Sequence, residues 1–482
     1  MQILGRVLPM KAVRIGGRLR RLRQERRLTQ VQMAEELGIS ASYLNLLESN
    51  QRPVTVRVLL RLAERFQLDI ASLAVEEDDR LTTELMEALS DPLFESHDVK
   101  TTDVKDLVAT LPALGRAMLD LYQAYRRGPV VASENEGVEG EPMPVGMPSE
   151  EVSDFLQKHG NHFKELEEAA DELWREHNLG LHSLFQDLVD VLTKSYAVDV
   201  EVMPAAQLNG LLRDYNTLTR RLALSEMLPP PSRSFQLACQ IGYLWQRNQI
   251  DRLVSSGKFT SAESEALARS ALANYFAGAV MMPYDRFLAA AKQTRYDITI
   301  LQHRFGVSFE QVCHRLTTLR RAGNEGIPFH LIRVDIAGNI SKRFSASGIH
   351  IARFGAACPR WNVYDAFATP GMLRVQLSKM PEGQAFFCVA RTVRPAGRTI
   401  RRGALMPRAG QLAIGLGCAV SHAKDIVYAD GLDLDDATLI TPIGVSCRVC
   451  PRTDCADRAL PALSQKLEID ENRRGQSAYV TP

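Results

Sequence analysis

Three cysteines fall within nine residues near the end of the sequence: Cys447, Cys450 and Cys455 in SCRVCPRTDC, a C-x2-C-x4-C array. One turn can present the first two thiolates to a single metal, and the third arrives after the chain folds back. A fourth ligand must come from elsewhere. Cys418, in GLGCAVSHA, is the first candidate, because a Gly-rich turn brings backbone N–H groups close to a cluster. Cys358, in AACPRW, can replace it or simply pack, and His422 is a further option. The three-plus-one distribution favours a [4Fe–4S] cluster. Structural zinc, which usually takes two C-x-x-C knuckles, is the runner-up. Isolated Cys239, Cys313 and Cys388 read as small buried hydrophobes.

Composition sets the compartment for that chemistry. The 482 residues are 45% hydrophobic and 24% charged, as in ordinary globular proteins. A prior of roughly 150 residues per domain suggests about three domains. No apolar run approaches the roughly 18 to 20 residues that span a bilayer, and the opening MQILGRVLPMKAVRIGGRLR has no secretory signal pattern. A cytoplasmic protein with no membrane partner is expected. In a reducing compartment eight cysteines point to metal ligation rather than a disulfide framework.

The formal charge of +1 hides a local imbalance. Arg6, Lys11, Arg14, Arg18, Arg20, Arg21, Arg23, Arg26 and Arg27 face only Glu25, which is an electrostatic footprint for nucleic acid or a solvated amphipathic helix. Helical periodicity continues over 77–127, interrupted by Pro92 and Pro112. The stretch 128–150 is rich in Gly, Pro and Glu and reads as a flexible linker. Residues 151–325 are mostly helical in pattern. From 326 to 465 the period changes to strands, with a hairpin around Pro381-Glu382-Gly383-Gln384, and 466–482 is a tail. The expected fold is therefore multidomain: an all-α N-terminal domain at 11–76, a helical connector, the linker, a mostly helical middle domain and an α+β C-terminal domain.

In the first domain, Thr29 can cap a helix running to Leu37, Gly38 supplies a left-handed turn, and Ser40 can cap a helix from Ala41 to about Glu48. These are the parts of a helix-turn-helix that enters the major groove of double-stranded DNA. The segment closely resembles the Xre/lambda-repressor family. By position, the resemblance implies phosphate contacts from Thr29 and Gln30. It places Ala41, Ser42 and Asn45 at base edges, with Tyr43 and Arg52 on the DNA backbone. Ala41 and Ser42 make no bidentate contact, so Asn45 is the best base reader.

In the middle domain, RSFQLACQIGYLW and ALANYFAGAVMMPYDRFL resemble the zinc metallopeptidase-like domain of the ImmA/IrrE family. That family's H-E-x-x-H puts two imidazoles one turn apart with a carboxylate base between them. Here Cys239, Gln240 and Tyr243 hold those positions, and Leu272 stands where an acidic ligand is expected. Gln240 cannot act as a general base, so no enzyme and no catalytic residue is expected. Residues 297–321 also have helix-turn-helix character and read as helical packing.

The whole combination, with RVDIAGNISKRFSA, CPRWNVYDAF, CVARTV and RVCPRTDCADRALP, resembles the short-chain fatty acyl-CoA transcriptional regulators, the group governing propionate and acetate catabolism. The resemblance implies a homodimer that binds an operator, an acyl-CoA effector in the C-terminal half and an iron–sulfur cluster nearby. An acyl-CoA site needs cations for its phosphates and apolar walls. Arg353, Arg391 and Arg394 are the phosphate candidates, with Trp361 and Tyr364 as walls. Two other readings remain: a redox or iron sensor with the cluster as input, and a residual metalloprotease.

Overall fold

Capping decides where the first helices begin. The computed structural model describes residues 19, 23, 28–48, 52, 58, 61, 65, 76–94, 97, 99–127, 147–353, 357–394, 410–462, 475, 477 and 479. Helix α1 (Gln30–Leu37) starts at Thr29, whose hydroxyl accepts from the Gln32 N–H while the Gln32 side chain accepts from the Thr29 N–H. This reciprocal pair satisfies two donors that a helix start leaves open. Gly38, at φ 61°, ends the helix in the left-handed region. The Ser40 hydroxyl then accepts from the Tyr43 N–H, 3.1 Å away, and opens α2 (Ala41–Glu48). Met33, Ala34, Leu37, Leu44 and Leu47 close a small core with Leu19 and Val58. Of the nine cations expected to form a basic footprint, only Arg23 lies among the described residues.

The same unit, Met1–Tyr125, continues with α3 (Glu76–Ala88), α4 (Thr101–Thr110) and α5 (Pro112–Arg127). Gly115 lets α5 sit close, since a Cβ there would lie 3.0 Å from Leu85 and near Leu81 and Val108.

The second unit, Arg126–Pro482, opens with α6 (Pro148–Lys158), so the end of the expected linker is helical. The rest of that segment, 128–146, lies outside the described residues. Helices α7 (Lys164–Glu176) and α8 (Leu184–Tyr196) follow. Next comes a three-stranded sheet that the expected helical pattern did not include. Its strands are β1 (Asp199–Met203), β2 (Arg213–Asn216) and β3 (Arg221–Ser225), with β3 central, parallel to β1 and antiparallel to β2. Helices α9 (Pro230–Trp245), α10 (Arg247–Ser255), α11 (Ala262–Met281) and α12 (Tyr284–Gln293) complete the helical layer with α13 (Ile298–Phe305) and α14 (Phe309–Thr317). The α13–α14 pair has a left-handed Gly306 turn and a Ser308 capping box. It buries Phe309, Val312, Cys313 and Leu316, so it is core packing, as its sequence suggested.

Strands β4 (His330–Asp335), β5 (Ile340–Ser345), β6 (Arg374–Lys379), β7 (Ala385–Val393), β8 (Leu412–Ala419) and β9 (Ile440–Pro442) form one sheet in the order β5-β4-β8-β7-β6-β9. All neighbours are antiparallel except β6 and β9. The β6–β7 hairpin turns at Gly383 (φ 100°), as expected. Alternating side chains give the sheet two buried faces. Leu331, Phe387, Val389, Ile414 and Leu416 join the helical core. Ile332, Val334, Phe386, Cys388 and Ala390 face a second core made with Ile349, Trp361, Val363 and Val445, which holds the short helix α15 (Asn362–Asp365). The middle and C-terminal segments therefore share one core. No helix among the described residues is long and apolar enough to cross a membrane.

Candidate nucleic-acid interface and cysteine loop

Helix α2 sorts its residues by face. Leu44, Leu47 and Glu48 are buried, while Ser42 and Asn45, one turn apart, are exposed, and Ala41 and Tyr43 are half-buried beside them. Thr29 is exposed at the start of α1, and Arg52 is exposed beyond α2, its N–H donating to the Leu46 carbonyl. Gln30 links the two helices: its amide donates to Asn45 Oδ1 (3.3 Å) and to Glu48 Oε2 (2.9 Å). The Glu48 carboxylate in turn receives Arg23 Nε (2.7 Å) and Nη2 (3.1 Å). Sequence reasoning counted Arg23 among the phosphate-facing cations. Instead it is a structural cation, because a buried carboxylate needs a paired charge. The terminal Glu of the motif was the available signal.

Cys358, rather than the expected Cys418, lies near Cys447 and Cys450. Cys418 lies on β8 opposite Phe387 and points into the helical core. Cys358 and the residues Ile443 and Val445, just after β9, belong to the other face. Spacing alone could not reveal this, since the pleat decides which face a strand residue takes. The Cys358 N–H donates to the Val445 carbonyl at 2.9 Å, and Trp361 Nε1 donates to the Gly444 carbonyl at 3.0 Å. Gly444 is required there, because a Cβ would lie 2.9 Å from Cys450 Sγ. Burial pushes the Cys358 thiol up, and the neighbouring Cys447 and Cys450 add to the shift. The Cys450 thiol is likewise raised by burial, with Cys455 adding to it. His422 sits in the 3-10 turn that follows β8. Among the described residues no three His, Cys, Asp or Glu side chains are grouped closely enough to hold a metal ion.

One residue organises this loop. Arg458, only 6% exposed, donates to the carbonyls of Cys447 (2.7 Å), Cys450 (2.9 Å), Leu460 (3.2 Å) and Arg452. The next backbone N–H, of Ala459, lies 3.5 Å from Cys447 Sγ. Asp457 pairs with Arg360 at 3.3 Å, tying the loop to the segment that carries Cys358. No role for this arginine was evident from the sequence; only its buried position beside the loop carbonyls reveals one.

The five expected effector residues do not converge. Arg353 is paired with Asp154 and Glu150 of α6, so a phosphate would have to displace carboxylates. Trp361 is buried in the second core and holds Gly444 rather than walling an open slot. Arg391 lies over the Phe309 ring, 5.3 Å from its centroid, on the opposite sheet face. Tyr364 packs half-buried against the second core. Arg394 is exposed at the end of β7, and residues 395–409 after it are outside the described set. The structure offers instead a groove of about 440 Å³ along β6, lined by Asn362, Asp365, Arg374, Gln376, Leu432 and Leu439.

Comparison with known proteins decides the family. The short-chain fatty acyl coenzyme A regulator C-terminal pattern matches residues 318–479. An IrrE N-terminal-like domain matches 193–317, and a helix-turn-helix matches 19–73. The chain is 40% identical over 471 residues to the HTH-type transcriptional regulator PrpR of Mycobacterium tuberculosis, covering 96% of this chain and 95% of that one. It is also 40% identical over 470 residues to the propionyl-CoA carboxylase regulator of Cereibacter sphaeroides, covering 96% and 98%. The chain belongs to the short-chain fatty acyl coenzyme A regulator family. A solved structure of a Mycobacterium tuberculosis transcriptional regulator resembles it with a TM-score of 0.65 and 40% identity, over 70% of this chain and 100% of that one.

This regulator's IrrE-like region has lost its metal chemistry. The Cys239 thiol donates to Asn274 Oδ1 at 3.2 Å, and burial pushes its pKa up to about 12. It is a neutral thiol near pH 7, engaged with α11 rather than with a second ligand on α9. Gln240 is buried, Leu272 is buried, and Tyr243 lies under the Arg213 guanidinium. The helix keeps its packing role: Gly242 admits the Phe276 ring against α9. The protein is a transcriptional regulator.

Proposed function

We propose that this regulator binds a two-half-site operator as a homodimer, reads it through Ser42 and Asn45 of α2, and controls genes of short-chain acyl-CoA metabolism in response to an acyl-CoA. The observation that carries the reading is the capped α1–α2 pair with its exposed Ser42–Asn45 face in a chain of this family. The PrpR and propionyl-CoA carboxylase regulator names of its relatives support propionate metabolism as the controlled chemistry. Thr29, Gln30, Tyr43 and Arg52 would position the DNA backbone, and Ala41 would pack at the base edge.

The groove along β6 is the proposed effector cleft, because its volume falls in the range of small-molecule sites. Arg374 supplies a cation, and Leu432 and Leu439 supply apolar wall. An effector regulates only if it binds the DNA-competent and incompetent states with different affinity. The test is operator affinity measured at fixed salt with and without acetyl-, propionyl- and butyryl-CoA. A shift with one of them supports the reading, and identical affinity with all three overturns the effector claim.

The donors for a thiolate-held group would be Cys358, Cys447, Cys450 and Cys455, which must draw together on binding, since among the described residues they are not grouped closely enough to hold a metal ion. A [4Fe–4S] cluster bound there would supply a redox-sensitive, oxygen-labile clasp, and Arg458 would hold the loop around it. Metal and sulfide analysis of anaerobically purified protein checks this: iron with sulfide supports it, and equimolar zinc without sulfide overturns it. The half-exposed Cys447 and Cys455 favour a second reading, in which the cluster itself is the signal. Cys450→Ser separates the two: lost oxygen response with an unchanged acyl-CoA response identifies a redox sensor.

A further inference from the structure

Helix α5 carries two apolar stripes, and among the described residues only one of them is packed. Gly115, Leu119 and Tyr122 face inward against α3 and α4, where the Tyr122 hydroxyl donates to Asp91 Oδ2 at 3.0 Å. Beside them run Leu114, Met118, Leu121 and Tyr125, exposed by 49, 38, 72 and 57%, with Leu111, 55% exposed, in the turn just before the helix. Within the helix the four are spaced 4-3-4, the a/d repeat of a coiled-coil seam. On a helix wheel these four lie within one arc. Its exposed flank is Ala113 and Ala117, while Arg116 and Asp120 stand on the far side. A helix face meant for water carries charges, and this one carries none.

We infer that the Leu114–Met118–Leu121–Tyr125 stripe is the surface on which a second copy of this chain docks, helix α5 against helix α5. Three observations select that occupant. A heptad seam is satisfied by another helix of the same repeat, and the same helix on a second copy provides it. Two such stripes face to face remove on the order of 1,000 Å² from water, about the lower limit for a specific dimer. The stripe belongs to the same unit as α2, so pairing there would couple two DNA-reading helices, as an operator with two half-sites requires. The inference rests on the homodimer reading proposed above and names its surface.

The test is the solution mass of the full chain, by sedimentation or light scattering at micromolar concentration, with Leu114→Glu/Leu121→Glu beside the wild type. Both side chains are exposed, so the fold should survive, which far-UV circular dichroism checks. The wild type is expected at twice the 53.7 kDa chain mass and the variant at the chain mass itself. A variant that stays dimeric overturns the surface but leaves the dimer, whereas a monomeric wild type overturns both. A photo-crosslinking residue in place of Met118 gives an answer that does not depend on the double variant. A crosslink between two copies through α5 supports the inference. A crosslink within one chain overturns it and identifies the internal segment that covers the stripe.

Discussion

Arg315 and Glu167 form a two-pronged ion pair, 2.6 and 2.8 Å long, with both side chains 2% exposed. The pair joins α14 to α7. Tyr275 of α11 donates to the same carboxylate at 2.6 Å, and Arg315 Nε donates to the Met282 carbonyl. Burial by itself would raise the Glu167 carboxyl, but Arg315 and the hydrogen bonds outweigh it and hold the group below 4.5. Breaking one side of such a pair leaves an uncompensated buried charge, at a cost of about 3–5 kcal/mol. Glu167→Gln should lose that much in urea unfolding, while Glu167→Leu/Arg315→Met should lose clearly less than the two single changes summed. The Glu167 contribution is present above pH 4.5 and disappears as pH falls through the folded value.

A second pH effect comes from His330. Its ring is buried between strands, with Nδ1 2.8 Å from Ser347 Oγ and Nε2 3.6 Å from Cys388 Sγ, and burial pushes its pKa down to about 3. The folded ring stays neutral where the unfolded one takes a proton. Stability is therefore full above pH 6.5 and declines as pH drops toward 3, by about 2 kcal/mol at pH 5. His330→Asn should flatten that limb of the stability–pH curve. An unchanged slope between pH 6.5 and 5 would show that the ring is not the source.

Arg458 predicts a graded series at the cysteine loop. Arg458→Met removes the donors to four carbonyls and, with the proposed cluster bound, should lower the metal per chain severalfold. Arg458→Lys, which keeps charge but not the planar fork, should recover part of it. Metal content, together with the rate at which Cys447 reacts with a thiol reagent in metal-free protein, reads this out. If loading is the same in all three proteins, the arginine does not organise the loop.

On the DNA side, Asn45→Ala should cost about 1–3 kcal/mol at one operator position and relax base preference there. Gln30→Ala should act partly through Asn45, because the two side chains touch. The two changes combined should therefore cost less than their sum in a binding-based double-mutant cycle. Strict additivity would mean that Gln30 acts on DNA independently.

The DNA-reading helices were legible because their boundaries are chemical. Thr29, Gly38 and Ser40 can be recognised from side-chain type, and each sits where that type requires. Local turn chemistry also gave the β6–β7 hairpin. The cysteine partner was not legible in the same way. Whether Cys358 or Cys418 meets the array depends on which way a strand residue points, and that follows from register across three strands. The three-stranded sheet over 199–225 escaped for a related reason: segments of four or five residues carry too few alternations to outweigh the long helical patterns around them. That Arg353 already faces Asp154 was not legible either, because an arginine's type does not reveal its partner.

The two faces of the large sheet have one more consequence. On β7, Phe387 belongs to the helical side and Cys388, the very next residue, to the cysteine side. The wall between the two compartments is a single backbone thick. A strand that shifts to suit an occupant on one side must move its neighbours on the other within one peptide unit. In this fold, hearing and relaying a signal need not be separate events.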